Sequence, residues 1–377
     1  MNSGNRAIWA LGAVLTWLVL WPTAGGAADR QKPRETPKAP ASPERHLKNV
    51  KQLTFGRQNA EAYFSFSGTK LIFQSTNNWM KESFAATLKP GDLPLGCYQM
   101  YVMDLESDQV RLVSTGAGVT TCGYFFPGDR RVLYSSTHLR GPNCPPKPKR
   151  EGAYRWALDD YDLFAVRIDG QEMQRLTNTP GYDAEATVSP DGKTIVWTSV
   201  RDGDLDIYAM DLDGSRPRRL TDAVGYDGGA FFSPDSKRIV YRAAHPTDPA
   251  EIERYKELLA QHLVEPGQLE IFVMNADGSG QRQVTSNGAS NFSPFFHPDG
   301  KRIIFSSNVE TRGEGGRPSF HLYLVGDDGT GLERLTFEGQ FNSFPMFSPD
   351  GKRLVWVSDR NAKEPGEFNV FLAEWVP

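Results

Sequence analysis

His138 and His245 stand at corresponding points of a repeated pattern in this 377-residue chain, Asp183 and Asp227 stand at a second repeated point, and Glu185 follows two positions after Asp183. Imidazole and carboxylate are the usual ligands of a divalent cation and the usual proton carriers near neutral pH. Two chemistries are open to such a set. The metal candidates Asp183, Glu185, Asp227, His138 and His245 could hold Ca²⁺ or another divalent cation. With a metal's help, His138 and His245 could instead carry acid-base cleavage of a polysaccharide. A plainer reading is that polar residues line a wet channel and cap strand ends, and symmetry alone would bring them together. No firm cofactor follows.

Other side chains belong to the same surface. Asn59, Thr120, Asp183, Asp227, Asn291 and Asn342 recur three residues before a strand core and form a polar ring expected to face a central channel. Glu61 and Glu185 follow two positions later. Asn77, His138, Arg201, His245 and Arg360 end the next strand, on the neighbouring rim. Trp79, Phe84, Tyr154, Trp156, Tyr182 and Tyr226 are expected to rise on that face, where aromatics suit protein hot spots or sugar stacking, or pin their own loops. Of the three cysteines, Cys122 with Cys144 is the expected disulfide and Cys97 with Cys122 the next choice; no constellation activates a catalytic thiol.

The elements that must position these residues come from internal repetition. One phrase occurs six times without gaps: SFSGTKLIF (65 to 73), FPGDRRVLY (126 to 134), SPDGKTIVW (189 to 197), SPDSKRIVY (233 to 241), HPDGKRIIF (297 to 305) and SPDGKRLVW (348 to 356). Pro presets φ and Gly tolerates φ > 0, so Pro-Asp-Gly predicts a tight turn between two antiparallel strands, a and b. A third strand, c, ends in another turn, as in DIYAMDLDGS (206 to 215). A fourth, d, ends in Leu-Thr, as in Leu220-Thr221 and Leu335-Thr336. Each unit is a four-stranded antiparallel sheet, and six of them make a six-bladed β-propeller over residues 46–377. The last copy lacks its Leu-Thr strand, while Leu53-Thr54 occurs ahead of the first. The N-terminal strand therefore completes the last blade and closes the ring, which removes exposed sheet edges.

The recurrent F-S-P-D-G-K-R-I-V-F and I-Y-V-M-D-x-D-G-S patterns resemble the PD40 repeats of the TolB-type six-bladed propeller, over about residues 46 to 376. The resemblance implies that fold and a place in the cell envelope, since TolB is a periplasmic component of the Tol-Pal system. TolB also carries an α/β domain before its propeller, where this chain has an 18-residue Pro-rich stretch. Similar propellers sit beside serine peptidase domains or form oligogalacturonate lyases, which keeps the metal-assisted lyase or hydrolase as the alternative.

Strand order puts the short a-b and c-d turns on one face and the b-c and d-a loops on the other. The second face holds the long insertions, at about 77–96, 138–160, 245–268 and 309–319, and loops on a rigid scaffold are where binding residues gather. In the third of these, Ile252, Tyr255, Leu259 and Leu263 keep helical spacing after Pro249, predicting an amphipathic helix over that face.

The remaining features bound the setting. Forty-six acidic against 42 basic side chains give a net charge of -4, which argues against a nucleic-acid partner. Arg6, the apolar run Ala7 to Trp21 and the small residues to Ala27 read as a signal peptide over 1–27, followed by a flexible linker over 28–45. A periplasmic or secreted monomer results, with a protein partner or envelope ligand and no stable membrane span after cleavage. G-x-S-x-G, H-E-x-x-H and phosphate-loop motifs are absent from the sequence.

Overall fold

Each SPDGK turn is built by its own side chains. In the third copy the Ser189 hydroxyl donates to Asp191 Oδ1 at 2.7 Å and accepts the backbone N–H groups of Lys193 and Thr194 at 3.1 and 3.0 Å. Ser233 with Asp235 and Ser348 with Asp350 repeat the arrangement. These turns reverse the chain between strands whose inward residues are apolar, and the strands pair in register.

The computed structural model describes residues 43–76, 97–148, 154–311 and 318–377. The segment 1–27, most of the linker, Asn77, Trp79 and Phe84 lie outside them. Six four-stranded antiparallel sheets form a six-bladed propeller. Blade three shows the plan: a is Asp183–Val188, b Thr194–Ser199, c Asp206–Asp211 and d Arg218–Arg219. The other a strands, Asn59–Phe64, Thr120–Phe125, Tyr226–Phe232, Asn291–Phe296 and Asn342–Phe347, line the axis. Between blades lie fully buried Phe73, Tyr101, Phe125, Trp197, Phe305 and Trp356, large flat side chains that fill the wedge between twisted sheets.

Blade six is closed from the other end of the chain, as expected. Leu47–Gln52 pairs antiparallel with Asn369–Trp375. The Thr54 hydroxyl accepts the Val370 N–H at 2.8 Å, as Thr221 accepts Ile207 N–H at 2.9 Å and Thr336 accepts Leu322 N–H at 2.8 Å. The displaced Leu-Thr therefore performs in blade six what its counterparts perform elsewhere. Glu44, buried, pairs with buried Arg360 at 3.0 Å, and His46 stacks on Trp375 at 4.9 Å.

The insertions also fold. Helix Pro249–Ala260 is capped by Asp248, whose carboxylate accepts Ala250 N–H at 2.7 Å, with Pro249 in the first turn. Tyr255 and Leu259 pack on Leu158, Leu205 and Tyr226, and Leu258 is also buried. Leu263 leaves the helix for a short strand, Leu263–Val264, which pairs with Trp156–Ala157 of the blade-two insertion. Two loops from different blades are thus joined.

The disulfide differs from both expected pairings. Cys97 bonds Cys144, with Cα atoms 5.5 Å apart, and Cys122 is the free thiol. Cys122 sits at a backbone bulge on the a strand of blade two, φ 54°, where its thiol faces Glu61 on the axis instead of the insertion.

Candidate functional site

Every a strand carries the same irregularity. Its pairing with b slips at the third residue, between Ala60 and Tyr63 in blade one and Ala184 and Thr187 in blade three. The residues there, Glu61, Cys122, Glu185, Gly229, Ser293 and Phe344, all have φ between 48° and 62°. A β-bulge re-aims the side chain at its extra residue. Here it turns these side chains toward the axis, and all six residues line one cavity of about 560 Å³.

Polar groups converge in that cavity. Arg242 crosses from the b strand of blade four to form an ion pair with Glu185 and donates to Tyr226 Oη at 2.6 Å. Glu185 Oε2 also accepts Thr198 Oγ1 at 2.9 Å, Gly229 N–H at 3.0 Å and Tyr226 Oη–H at 3.1 Å. Gly229 is needed for this: a Cβ there would fall on the Arg242 guanidinium. Glu61 accepts from Gln74 Nε2 at 3.3 Å. Burial, and then the charge of Glu185, raise its carboxyl to about 7. Burial first, then the carboxylates of Glu61 and Glu185, also lift the Cys122 thiol well above its usual value.

The joined insertions form a roof. Trp156, Ala157 and Leu158 line the cavity, with Tyr154, 65% exposed, at its edge. Glu265 holds both Arg155, at 3.0 Å, and Arg254, at 2.7 Å, and Tyr255 Oη donates to the Gly225 carbonyl at 2.9 Å. Tyr63, Tyr98, Tyr161, Tyr182 and Tyr226 add aromatic walls.

The polar ring lies elsewhere than expected. Asn59, Thr120, Asp183, Asp227, Asn291 and Asn342 are buried and do not line the cavity. Their N–H groups donate to the carbonyls of Phe368, Tyr98, Tyr161, Leu205, Leu269 and Phe320 in the preceding blades, at 2.8 to 3.1 Å, stitching the ring together. The rim closes onto them. Arg201 bonds Asp183 at 3.0 Å and lies 4.8 Å over Trp197; His245 Nε2 is 3.0 Å from Asp227 and its ring meets Phe272; Arg360 reaches Asn342 and lies 5.0 Å over Trp356. His138 is 3.0 Å from Ser136 Oγ and packs on Phe164 at 4.4 Å. The hydrogen bond to Asp227 raises the His245 pKa, while burial lowers that of His138. Both histidines cap strand ends in their own blades, outside the cavity. Among the described residues no group of three or more His, Cys, Asp or Glu is arranged to hold a metal ion. Of the expected site residues, Glu61, Trp156, Tyr182, Glu185 and Tyr226 share the cavity.

The sequence pattern of the TolB beta propeller domain, PD40, matches residues 155–255 and 255–373, more than half of the chain. The chain belongs to the TolB-type β-propeller family. It is 26% identical over 148 residues to a TolB homologue of Chlorobium luteolum, covering 37% of this chain and 34% of that protein. It is 33% identical over 93 residues to the Tol-Pal system protein TolB of Helicobacter hepaticus, covering 24% and 21%. Dipeptidyl-peptidase 5 of Porphyromonas gingivalis matches at 32% over 90 residues, covering 24% of this chain and 12% of that enzyme. The matches thus span well under two thirds of these relatives. A solved structure of a candidate TolB from Agrobacterium tumefaciens superposes with a TM-score of 0.54 at 20% identity, over 85% of this chain and 91% of that one, a likeness of fold.

Against the TolB-type repeat, the residues that sequence reasoning passed over become legible. At the fifth position of strand b stand Gln74, Ser135, Thr198, Ser306 and Val357, but Arg242 in blade four. At the bulge, blade four alone has glycine, Gly229. A charge gained in one copy and a side chain lost beside it were the signal for the Arg242–Glu185 pair.

Proposed function

We propose that this TolB-type propeller is an exported binding scaffold of the cell envelope, which holds a small ligand or the tip of a protein partner in the roofed cavity on its insertion-bearing face. The cavity carries the reading: a pocket of about 560 Å³ lies within the usual size of small-molecule sites, about 300–1,000 Å³, and combines aromatic walls with a few convergent polar groups. Family membership and the leader-like segment 1–27 support an envelope location, and the absence of a basic surplus supports a partner other than nucleic acid. Among the described residues no helix is long and apolar enough to cross a membrane. The alternative, a metal-assisted lyase or hydrolase, draws nothing from His138 and His245, which bind their own strand ends.

The test is ligand retention together with location. Native mass spectrometry and thermal-shift screening of the chain recovered from an osmotic-shock fraction should find a bound or stabilising compound, because a ligand selective for the native state raises its melting temperature. Trp156→Ala with Tyr182→Ala should abolish the shift. A cytoplasmic chain, or stabilisation indifferent to both substitutions, would overturn the reading.

A further inference from the structure

The charges inside the cavity are unevenly matched. Arg242 is tied to Glu185, and Arg155 turns to Glu265. The remaining lining cation among the described residues, Lys147, is exposed. Glu61 and Asp159 also line the cavity, and no cationic side chain among the described residues stands within ion-pair distance of either. An enclosed carboxyl without a counter-charge is costly to ionise, and a cation brought in from outside removes that cost. Around Glu61 stand aromatic rings, whose faces attract cations most strongly where water is excluded. Tyr63 and Tyr98 come from blade one and Tyr161 from blade two, while Tyr182, which leads into blade three, and Trp156 of the roof, 5.3 Å from the Arg242 guanidinium, line the same cavity.

We propose that the cavity takes an organic ammonium ion, its charged nitrogen against Glu61 and its carbon body along the tyrosines and Trp156. This rests on the binding-cavity reading above and names the ligand class. The geometry separates it from an anion site, since among the described residues the guanidinium deep in the cavity, that of Arg242, is already paired with Glu185 and donates to Tyr226 Oη.

Its pH dependence follows from the groups that face Glu61. Gln74 is neutral. Cys122, Tyr63, Tyr98 and Tyr161 are each pushed upward, chiefly by burial, and stay protonated. Glu185 opposes ionisation of Glu61, Arg242 favours it, and Asp159 at the cavity wall is itself raised by burial. Glu61 therefore changes charge near pH 7, and an arriving cation favours the ionised form. Binding should release a proton and strengthen about tenfold from pH 6 to pH 8.

The experiment is calorimetry on the full chain with two pairs of probes whose charge is constant over this range: choline against 3,3-dimethylbutan-1-ol, and cadaverine against pentan-1-ol. At pH 8 at least one cation should bind ten times or more tightly than its neutral counterpart, and Glu61→Gln, folded by circular dichroism, should lose that advantage. If no cation exceeds its counterpart, or if Glu61→Gln binds as the wild type does, the inference fails. Tight binding of a neutral probe indifferent to Glu61 would sink the ammonium assignment and leave the binding-cavity reading standing.

Discussion

Glu61 illustrates how one position on a repeated scaffold acquires chemistry. The bulge that aims it at the axis exists in all six blades, but only blades one and three place a carboxylate there. Glu185 is matched by Arg242; Glu61 has the Gln74 amide and the Cys122 thiol beside it, with no cationic side chain among the described residues in ion-pair contact, and remains hard to ionise. A carboxyl whose folded pKa, about 7, exceeds the unfolded value, 4.5, favours the folded state when protonated. Its contribution is therefore complete below about pH 4.5 and is lost as pH rises to about 7, by about 3 kcal/mol at most. Glu61→Gln should melt close to the wild type at pH 4.5 and progressively higher than it up to pH 8. A difference in melting temperature that is flat across this range would show that Glu61 ionises freely. Removal of a costly charge that raises stability and abolishes ligand binding is the usual trade at a functional residue.

The insertions, at the scale of elements, act as a pair. Helix Pro249–Ala260 has one buried side and holds the strand Leu263–Val264 against Trp156–Ala157, with Glu265 gripping Arg155 and Arg254. Exposed ion pairs add little, but Glu265 and Arg155 are mostly shielded, at 17% and 22% exposure. Glu265→Ala should raise amide exchange at 154–158 and 263–265 while the blade strands keep their protection and the global melting temperature moves by no more than a few degrees. Unchanged exchange in the roof would mean that the strand pairing alone holds it. The helix was legible from its spacing, as were the four-stranded blades from their turns. Its partner was not: two-residue strands lie below any periodicity, and no local rule tells one loop that another will meet it. The Cys97–Cys144 bond was hidden for the same reason, since three cysteines allow three pairings and only the positions of the loops choose among them.

The whole molecule is held by its closure. Each blade packs mainly on its neighbours, so a ring left open between blades six and one would expose the edge of Asn369–Trp375 and the apolar faces beside Leu47 and Trp375. Deletion of residues 46 to 56 should lower the melting temperature of the entire propeller rather than unfold one blade; a truncated chain with unchanged melting would refute the closure as the source of stability. The sequence by itself determined the six blades, their turns, the closing strand and the face that carries the insertions, because each follows from local turn chemistry and alternation repeated six times. Only the tertiary structure decided which polar residues serve as mortar and which form a site. Asp183, Asp227, His138 and His245 look as chemical in the sequence as Glu61, Glu185 and Arg242 do. The difference lies in a one-residue bulge that turns Glu61 and Glu185 toward an enclosed cavity, where Arg242 reaches Glu185 from its b strand, while Asp183 and Asp227 stay buried at the blade seams and the two histidines cap strand ends; the closing of the ring is what brings blades one, three and four to a common axis.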